Sequence, residues 1–333
     1  MHYREAVRAW VLEESPGDYR FGEVREPATG PGQVRVRVVT SALNHMDLWL
    51  ALGMPKPPLL PMVPGCDAAG VVAEVGEGVS RWAVGDEVVV NPSLACGHCP
   101  ECLAGRSVYC ESWGILGEHQ WGSHGESVVV GEANLVRRPD GRTWEECGAY
   151  GLCGLTAYRM LRRARLVAGE DLLVAGASGG VGSATLALGL RMGATVYVTS
   201  RHETKRARAL ALGAAGAFPS GEEIPVKCDV VVDNSGEPTW ASSFGALKKG
   251  GRMAVCGGTG GGRVDLHLPR LFFGHYELVG STMGTFSEFD ELTHLVAGGL
   301  PVVVDSAYPL PDYPAALARL RAGEQFGKLV LRH

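Results

Sequence analysis

The sequence has no long apolar run, no excess of basic residues, no internal repeat and no low-complexity linker. Its first twenty residues, MHYREAVRAWVLEESPGDYR, carry charges throughout, so we expect neither a signal peptide nor a membrane anchor. Lysine and arginine number 31 against 36 for aspartate and glutamate, and the net charge of −5 argues against a nucleic-acid partner. Nine cysteines without a secretion signal indicate the reducing cytoplasm, where clustered thiols more often hold metal than form disulfides.

The pattern of apolar residues changes along the chain. With 333 residues, the length suggests about two domains of roughly 150 residues each. The first 150 residues are mostly β, with stretches such as GQVRVRVVTSALN and DEVVVNP between glycine and proline. After an amphipathic helical stretch, LCGLTAYRMLRRARL, short apolar strands alternate with helices. This predicts an α/β fold in which a β-rich domain accompanies a doubly wound parallel sheet, whose ligands bind at the carboxyl ends of its strands.

A glycine-rich turn joins the predicted strand 171–176 to the predicted helix 181–192. Ala177, Gly179 and Gly182 occupy the three positions of a GxGxxG turn, with alanine at the first. Such a turn lets a pyrophosphate approach the helix N-terminus, whose N–H groups and dipole favour anions. A plain tight turn is the alternative, but the strand–turn–helix context favours dinucleotide binding. The predicted contact residues are Ala177, Ser178, Gly179, Gly180, Val181 and Gly182.

The end of the next strand, TVYVTS, bears on the choice of cofactor. An NAD-selective chain usually places Asp or Glu there for the ribose 2′-OH, whereas this chain has Ser200, followed by Arg201 and, one helical turn on, Lys205. Two cations can hold a 2′-phosphate that no carboxylate repels. The sequence therefore predicts NADPH, the alternative being that Arg201, Lys205 and Arg206 form a solvated helix face.

Four cysteines lie within fifteen positions in the stretch SLACGHCPECLAGRSVYC. Four thiolates complete a tetrahedral zinc shell and leave no open position for water or substrate, which is typical of structural sites. His98 lies inside the loop, but all four ligand places are already taken. We predict one structural zinc per chain, bound by Cys96, Cys99, Cys102 and Cys110.

These motifs together resemble the medium-chain dehydrogenase/reductase superfamily, in its zinc-type alcohol dehydrogenase and quinone oxidoreductase branches. The resemblance covers almost the whole chain and includes the cysteine lobe, PGCDAAGVVAEVGEGVSRWAVGDEV, GLTAYRML and AGASGGVG. It implies a GroES-like catalytic domain made of residues 1–153 and 283–333, with the zinc lobe at about 93–112. A Rossmann domain would span 154–282, with substrate in the cleft between the two domains.

The resemblance also shows which residues of the zinc alcohol dehydrogenases are missing. Those enzymes hold a catalytic zinc through an early Cys, a His-Glu pair and a later Cys. In this sequence the early position is Asn44, the pair is Cys66 and Asp67, and the later Cys153 is retained. Asn in an N-x-x-D loop is similar to zinc-free quinone and enone reductases of the superfamily.

Two interpretations of the cleft remain open. Cys66, Asp67 and Cys153 could bind a catalytic zinc with water as fourth ligand, or the two cysteines could be small buried cleft residues. The resemblance implies that Asp47 is the acid that stands behind the family's zinc ligands and holds them in place. Met46 stands where the family has a Ser or Thr that relays the alcohol proton.

The resemblance completes the predicted cofactor site and the assembly. His45 stands where the family has a residue that reaches the cofactor phosphates, with a surface-loop histidine as the alternative. Cys256 and Gly257, after the strand GRMAV, are predicted to contact the cofactor as well. The strand YELVGST is expected at the edge of the Rossmann sheet, where this superfamily commonly pairs subunits, so we expect a homodimer or homotetramer.

The sequence therefore predicts an NADPH-dependent oxidoreductase that transfers a hydride to a small conjugated carbonyl compound or a quinone. The alternatives are a zinc alcohol dehydrogenase with an altered metal site and a cofactor-binding protein whose catalysis has decayed.

Overall fold

The computed structural model describes the backbone of residues 3–333 and the side chains from residue 6 onward. The chain forms two units. The first contains the chain up to Leu152 together with residues 285–299 and 304–333, and the second contains 153–284 and 300–303. Apart from residues 300–303, the predicted domain bounds lie within a few residues of these limits. That the two units are separate domains stays a prediction. The prediction about the first twenty residues falls partly on residues 1 and 2, outside the described chain.

The helices and strands follow one another along the chain in the order given next. In chain order they are β1 (Tyr3–Leu12), β2 (Tyr19–Pro27), β3 (Gln33–Ala42), α1 (His45–Leu52), β4 (Asp67–Val75), β5 (Glu87–Val90), β6 (Ser93–Leu94), α2 (Pro100–Leu103), β7 (Gly114–Ile115), β8 (Ser127–Gly131), β9 (Leu135–Arg137), α3 (Trp144–Cys147), α4 (Gly151–Arg163), β10 (Asp171–Ala175), α5 (Gly180–Arg191), β11 (Thr195–Thr199), α6 (Glu203–Ala211), β12 (Gly216–Phe218), β13 (Cys228–Asp233), α7 (Glu237–Gly245), β14 (Leu247–Val255), α8 (Leu268–Gly274), β15 (Glu277–Gly280), α9 (Phe286–Ala297), β16 (Val304–Pro309), α10 (Tyr313–Ala322) and β17 (Lys328–Arg332). Among the residues described, no helix combines the length and apolar character needed to cross a bilayer.

The first unit is built on a seven-stranded mixed sheet in the order β16-β17-β3-β4-β5-β9, with β8 also paired to β3. Alternation in β3 places Val34, Val36 and Val38 in the core, as a strand with one buried face requires. Strand β17 pairs antiparallel with β3. This pairing brings Lys328, at the start of β17, next to the residues that follow β3.

The second unit is a six-stranded parallel sheet in the order β12-β11-β10-β13-β14-β15. Residues 172–175 of β10 are all buried, as expected for a strand covered on both faces. Within this unit the order is the 3-2-1-4-5-6 arrangement of doubly wound dinucleotide-binding folds. The predicted α/β fold class, with a β-rich domain and a Rossmann-type parallel sheet, is confirmed, and β15 lies at the sheet edge as expected.

Two element boundaries differ from the sequence reading. The apolar pattern of residues 288–298 predicts a helix there, but α9 begins at Phe286, because Thr285 and Glu288 form a reciprocal capping box. The pattern of PTWASSFGALKKG predicts one helical stretch, but its residues LKKG begin β14 instead. Lys248 is held there by the carboxylates of Asp171 and Asp229, at 2.7 Å each, beside Gly250 with a positive φ.

Candidate functional site

Asn44 stands at the start of α1 in the first unit and is buried. Its backbone N–H donates to Asp47 Oδ2 at 2.7 Å, and the Asp47 N–H donates back to the Asn44 carbonyl at 3.0 Å. These bonds satisfy two groups at the beginning of the helix and hold Asn44 in an extended backbone conformation. Asp47 is fully buried and therefore acts on Asn44 from inside the core.

The Asn44 side chain joins three other predicted or newly found residues of the site. Its Nδ2 lies 3.0 Å from Cys66 Sγ and 3.0 Å from Asp67 Oδ2. Its Oδ1 accepts a hydrogen bond of 2.6 Å from Lys328 Nζ. The structure thus brings together Asn44, Cys66 and Asp67, with Asp47 behind them.

Lys328 is the residue of this cluster that the sequence reading missed. Its ammonium group donates to three oxygens, Leu43 O at 2.8 Å, Asn44 Oδ1 at 2.6 Å and Asp67 Oδ2 at 2.8 Å. The other carboxylate oxygen of Asp67 accepts from the Leu152 N–H at 2.6 Å. Asp67 and Lys328 are 0% and 5% exposed, so this is a buried and hydrogen-bonded ion pair. In GKLVLRH, nothing distinguishes this lysine from an exposed strand residue.

Three other predicted residues have simpler surroundings. Met46 is buried in the apolar core, and its thioether has no proton to donate. Burial lowers the pKa of His45, and the nearby Lys328 ammonium lowers it further, so its imidazole is neutral at neutral pH. Cys153 is buried in the second unit, and its predicted role stays a prediction.

The glycine-rich turn of the second unit fits an anionic ligand. Gly182 is buried, and a Cβ there would lie 2.2 Å from the Gly176 carbonyl oxygen, so only glycine lets α5 pack this closely. Gly176, which the sequence reading left out, makes the turn with a φ of 79°. At Gly179, which precedes α5, a Cβ would meet no atom within 4 Å, and the helix has no side-chain cap. The open helix N-terminus therefore suits a phosphate.

The end of β11 carries the residues predicted to select the cofactor. Ser200 is buried, Arg201 is exposed, and Lys205 lies in the first part of α6, half-buried. Arg206, named above only in the alternative of a solvated helix face, adds a third cation, and its Nη1 donates to the Ser200 carbonyl at 2.9 Å. Thr199 Oγ1 accepts from the Gly176 N–H at 3.2 Å, which ties this strand end to the glycine turn.

Cys256 and Gly257 follow the last residue of β14 and are half-buried. They lie at the carboxyl edge of the parallel sheet, where ligands of doubly wound folds bind. Burial raises the pKa of Cys256 to about 12, so the group there is a neutral thiol.

The four cysteines of the lobe come together as predicted. Their Sγ atoms all lie within 4.8 Å of one another, and Cys96 Sγ is 3.9 Å from Cys102 Sγ. Zn–S bonds of ~2.3 Å in a tetrahedron require S–S distances of roughly 3.8 Å, so the cluster fits zinc. Backbone N–H groups of Cys96 and Cys99 donate to Cys110 Sγ and Cys96 Sγ, and hydrogen bonds from the backbone of His98 and Cys99 lower the pKa of Cys96 to about 6. The His98 ring is exposed and instead contacts the Cys96 carbonyl.

The buried ion pair makes a prediction for stability. Lys328→Met removes the cation and leaves the Asp67 carboxylate unpaired in the core, so we expect unfolding to become easier by about 3–5 kcal/mol. Lys328→Met combined with Asp67→Asn should be less destabilised than the single Lys328 variant. Denaturant unfolding measures both.

The matched control is Arg20→Met, which breaks the exposed pair with Glu13 and should change stability by no more than about 1 kcal/mol. Equal effects of the Lys328 and Arg20 variants would contradict a buried pair.

Comparison with known proteins covers both halves of the chain. Residues 30–140 match the family model described as alcohol dehydrogenase GroES-like domain, and residues 180–298 match the one described as zinc-binding dehydrogenase. An acryloyl-coenzyme A reductase of Metallosphaera sedula is 30% identical, over 98% of this chain and 99% of its own length. An alcohol dehydrogenase of Geobacillus stearothermophilus is 28% identical over 98% and 99%.

A solved structure of a thermostable alcohol dehydrogenase from Pyrobaculum aerophilum, with cobalt and zinc bound, has a TM-score of 0.92. It is 33% identical and covers 98% of this chain and 100% of its own. Because the sequence identity is 30% or more over nearly the full length of two of these enzymes, the similarity shows the family as well as the fold. The chain belongs to the medium-chain dehydrogenase/reductase superfamily and is an NAD(P)-dependent oxidoreductase.

Proposed function

We propose that the protein is an NADPH-dependent reductase of small conjugated carbonyl compounds, such as enones and enoyl thioesters, or of quinones, and that it works without a catalytic zinc. The observation that carries the proposal is the Lys328 ammonium among Asn44, Asp67 and the Leu43 carbonyl. The ammonium group, 2.8 Å from Asp67 Oδ2, already balances the carboxylate on which a metal would depend.

A zinc ion at this cluster would need ligands that are already engaged. Asp67 accepts from Lys328 and Asn44 at one oxygen and from the Leu152 N–H at the other. Binding Zn²⁺ to Asp67 would place a dication beside Lys328 and leave its buried ammonium without a counter-charge, which is strongly unfavourable. The first unit alone therefore favours the zinc-free alternative over the ligand set of Cys66, Asp67 and Cys153.

The same contacts limit the chemistry. A bound reduced nicotinamide would supply a hydride to the β-carbon of the acceptor, and a proton from solvent would complete the C–H bond at the α-carbon. The Asn44 amide and the Lys328 ammonium donate into the protein, and Met46 has no proton to give. A simple aldehyde, which needs strong polarisation of its oxygen, is a poor acceptor without a Lewis acid. In a conjugated acceptor the charge spreads to a distant oxygen, where less stabilisation suffices.

The relatives include enzymes of both kinds, an enoyl reductase and alcohol dehydrogenases. The acryloyl-coenzyme A reductase supports an enoyl acceptor, whereas the alcohol dehydrogenases support the second candidate, a zinc alcohol dehydrogenase with an altered site. A cofactor-binding protein without catalysis is the third.

Turnover against a panel of acceptors tests the proposal. With NADPH, we expect enones, enoyl thioesters or quinones to be reduced at least about tenfold more efficiently than plain aldehydes, because a Lewis acid contributes several kcal/mol to carbonyl reduction. Efficient reduction of plain aldehydes alone would favour the second candidate, a zinc alcohol dehydrogenase. No turnover with any acceptor, despite cofactor binding, would indicate decayed catalysis.

The preference for NADPH rests on the end of β11, where no carboxylate stands and Arg201, Lys205 and Arg206 supply positive charge. Combining Ser200→Asp with Arg201→Ala and Lys205→Ala should weaken NADPH binding far more than NADH binding. The reason is the loss of charge-assisted hydrogen bonds of about 1.5–3 kcal/mol each. Titration calorimetry with both cofactors measures the difference.

Arg191→Ala removes one positive charge at the far end of α5 and should leave both affinities unchanged. Equal affinity of the unmutated protein for NADPH and NADH would refute the assignment.

The cysteine lobe should hold zinc as a structural element. We expect about one zinc per chain, because four thiolates close the shell. Cys99→Ser should lose the metal and lower thermal stability, since binding energy of about 10–16 kcal/mol at structural zinc sites is largely folding energy. The surviving folded molecules should keep their activity. Such a thiolate site is consistent with a cytoplasmic location.

Cys153→Ser is the comparison variant and should retain both zinc and most of the activity. Elemental analysis that finds two zincs per chain, with one lost together with turnover in Cys153→Ser, would overturn the zinc-free mechanism.

The edge of the parallel sheet is the proposed subunit interface. Strand β15 exposes Leu278, and the preceding α8 exposes Phe272 and Phe273. An unprotected edge with apolar neighbours is suited to pairing with a second copy. We expect a dimer, or a tetramer of dimers, by light scattering at micromolar concentration, and a monomer would contradict it.

A further inference from the structure

The loop that follows β13 in the second unit carries polar groups to which the proposed function gives no role. β13 ends at Asp233, and residues 234–236 lead from it into α7. In the sheet order, β13 lies between β10, which leads into the glycine turn, and β14, which is followed by Cys256 and Gly257. The loop therefore stands at the carboxyl edge of the sheet, between two stretches that are predicted to contact the cofactor.

Asp233 determines the shape of this loop. Its carboxylate is 0% exposed, and each of its oxygens accepts two hydrogen bonds. Oδ1 accepts from the backbone N–H groups of Ser235 at 2.8 Å and Gly236 at 3.0 Å. Oδ2 accepts from the hydroxyl groups of Thr239 and Ser243, at 2.7 Å each. A buried carboxylate with this many fixed donors holds the loop backbone against α7.

The loop bends at Gly236, and the bend brings it against the loop that follows β14. Gly236 has a φ of 81°, and a Cβ there would lie 2.3 Å from the Gly261 carbonyl oxygen, so only glycine fits. The Gly260 N–H donates to the Ser235 carbonyl at 2.8 Å, and the Glu237 N–H donates to the Gly261 carbonyl at 3.2 Å. The backbones of the two loops are therefore tied together.

Asn234 lies where these two loops meet the glycine turn. A Cβ on Gly176 would lie 3.4 Å from Asn234 Oδ1, and a Cβ on Gly257 would lie 3.2 Å from the Asn234 carbonyl oxygen. Thr259 Oγ1 donates to that carbonyl at 3.4 Å, and the Ser235 hydroxyl donates to Asn234 Oδ1 at 3.3 Å. The side chain is half-buried, and its Nδ2 has no hydrogen-bond partner among the residues that the structure describes. Its N–H donors are therefore available to a ligand.

The sheet order determines which part of a dinucleotide Asn234 can reach. In doubly wound folds the dinucleotide binds across the point where the strand order reverses, with one mononucleotide half on each side. Here the order reverses between β10 and β13. The proposed 2′-phosphate contacts follow β11, on the β10 side, and belong to the adenosine half. The loops after β13 and β14 are therefore left for the nicotinamide half, whose ribose hydroxyl groups both donate and accept, as a carboxamide does.

We propose that Asn234 is a further cofactor-binding residue, whose carboxamide bonds the hydroxyl groups of the nicotinamide ribose, and that Asp233 is its positioning residue. Because Asp233 is fully buried, it acts through the loop backbone that carries Asn234. This role requires neither the preference for NADPH nor a particular acceptor, so it goes beyond the proposed function.

Titration calorimetry of the full-length protein with NADPH and with adenosine 2′,5′-bisphosphate, which carries the adenosine half alone, tests the binding role. Asn234→Ala should raise the Kd for NADPH by about 5- to 10-fold, because a hydrogen bond to the ribose is lost, and leave the Kd for the bisphosphate within about twofold. Ser242→Ala removes a hydroxyl group from the second half of α7 and should change neither value. An unchanged Kd for NADPH in Asn234→Ala, or an equal loss for both ligands, would overturn the proposal.

A double-mutant cycle tests the positioning role. Asp233→Ala leaves the N–H groups of Ser235 and Gly236 without their acceptor, so the Kd for NADPH should rise at least as much as in Asn234→Ala. The Kd for the bisphosphate should again stay unchanged. The two changes together should weaken NADPH binding no more than the larger one alone, because both act on the same contact. Fully additive effects would refute positioning.

Two milder variants separate positioning from a purely structural role. Asp233→Asn keeps an oxygen for both N–H groups, and its amide can donate to the hydroxyl oxygens, so the Kd for NADPH should stay within about twofold. Thr239→Val combined with Ser243→Ala removes both donors to Oδ2 and should raise that Kd by about 3- to 5-fold. A lower melting temperature of this pair with an unchanged Kd would leave Asp233 a structural residue and refute positioning. Since no acceptor is present in these titrations, failure to reduce any acceptor would reject the proposed function and leave the role of Asn234 to be decided by the Kd values.

Discussion

The buried contact between Lys328 and Asp67 is the constraint on which the rest of the first unit depends. Neither group is tolerated alone in the core, so β17 must pair with β3 in the register that brings Lys328 to the end of that strand. Asn44 bridges the pair and thereby joins α1 to the sheet. Asn44, at the position that the resemblance assigns to an early zinc ligand, is thus the central polar link of the unit.

Under the proposed zinc-free mechanism, the same contact supplies the charge balance that a metal would otherwise give. A ligand cluster without its ion would leave a buried carboxylate unbalanced, and here a lysine supplies the positive charge. The cysteine lobe has no such cation among its four thiols, which converge at distances that suit zinc. The two sites illustrate opposite solutions: in one, charge is balanced by a side chain, and in the other the geometry calls for a metal.

The second unit has a more conventional organisation, in which backbone rather than side-chain chemistry prepares the site. The open N-terminus of α5, the glycine packing at Gly182 and the bond from Gly176 to Thr199 bring the ends of two neighbouring strands together. Under the proposed preference for NADPH, the side chains after β11 would select the 2′-phosphate. Membership in the medium-chain superfamily is consistent with this division, because relatives with different acceptors share the cofactor unit.

Local patterns in the sequence determined much of this protein. The period of the apolar residues indicated the β-rich part and the βα repeat, and the spacing of the four cysteines and of the glycine turn identified both motifs, because such signals lie within a few residues of each other. The substitutions at Asn44, Cys66 and Met46 could be read as missing zinc chemistry for the same reason. The contacts that surround Asn44 and Cys66 were decided by tertiary structure alone. Lys328 is 261 residues from Asp67, and His124 is 83 residues from Ser41, so neither contact leaves a trace in local sequence. Burial decides their effect, since such a side chain becomes part of a site only where folding removes it from water and supplies it with fixed hydrogen-bond partners.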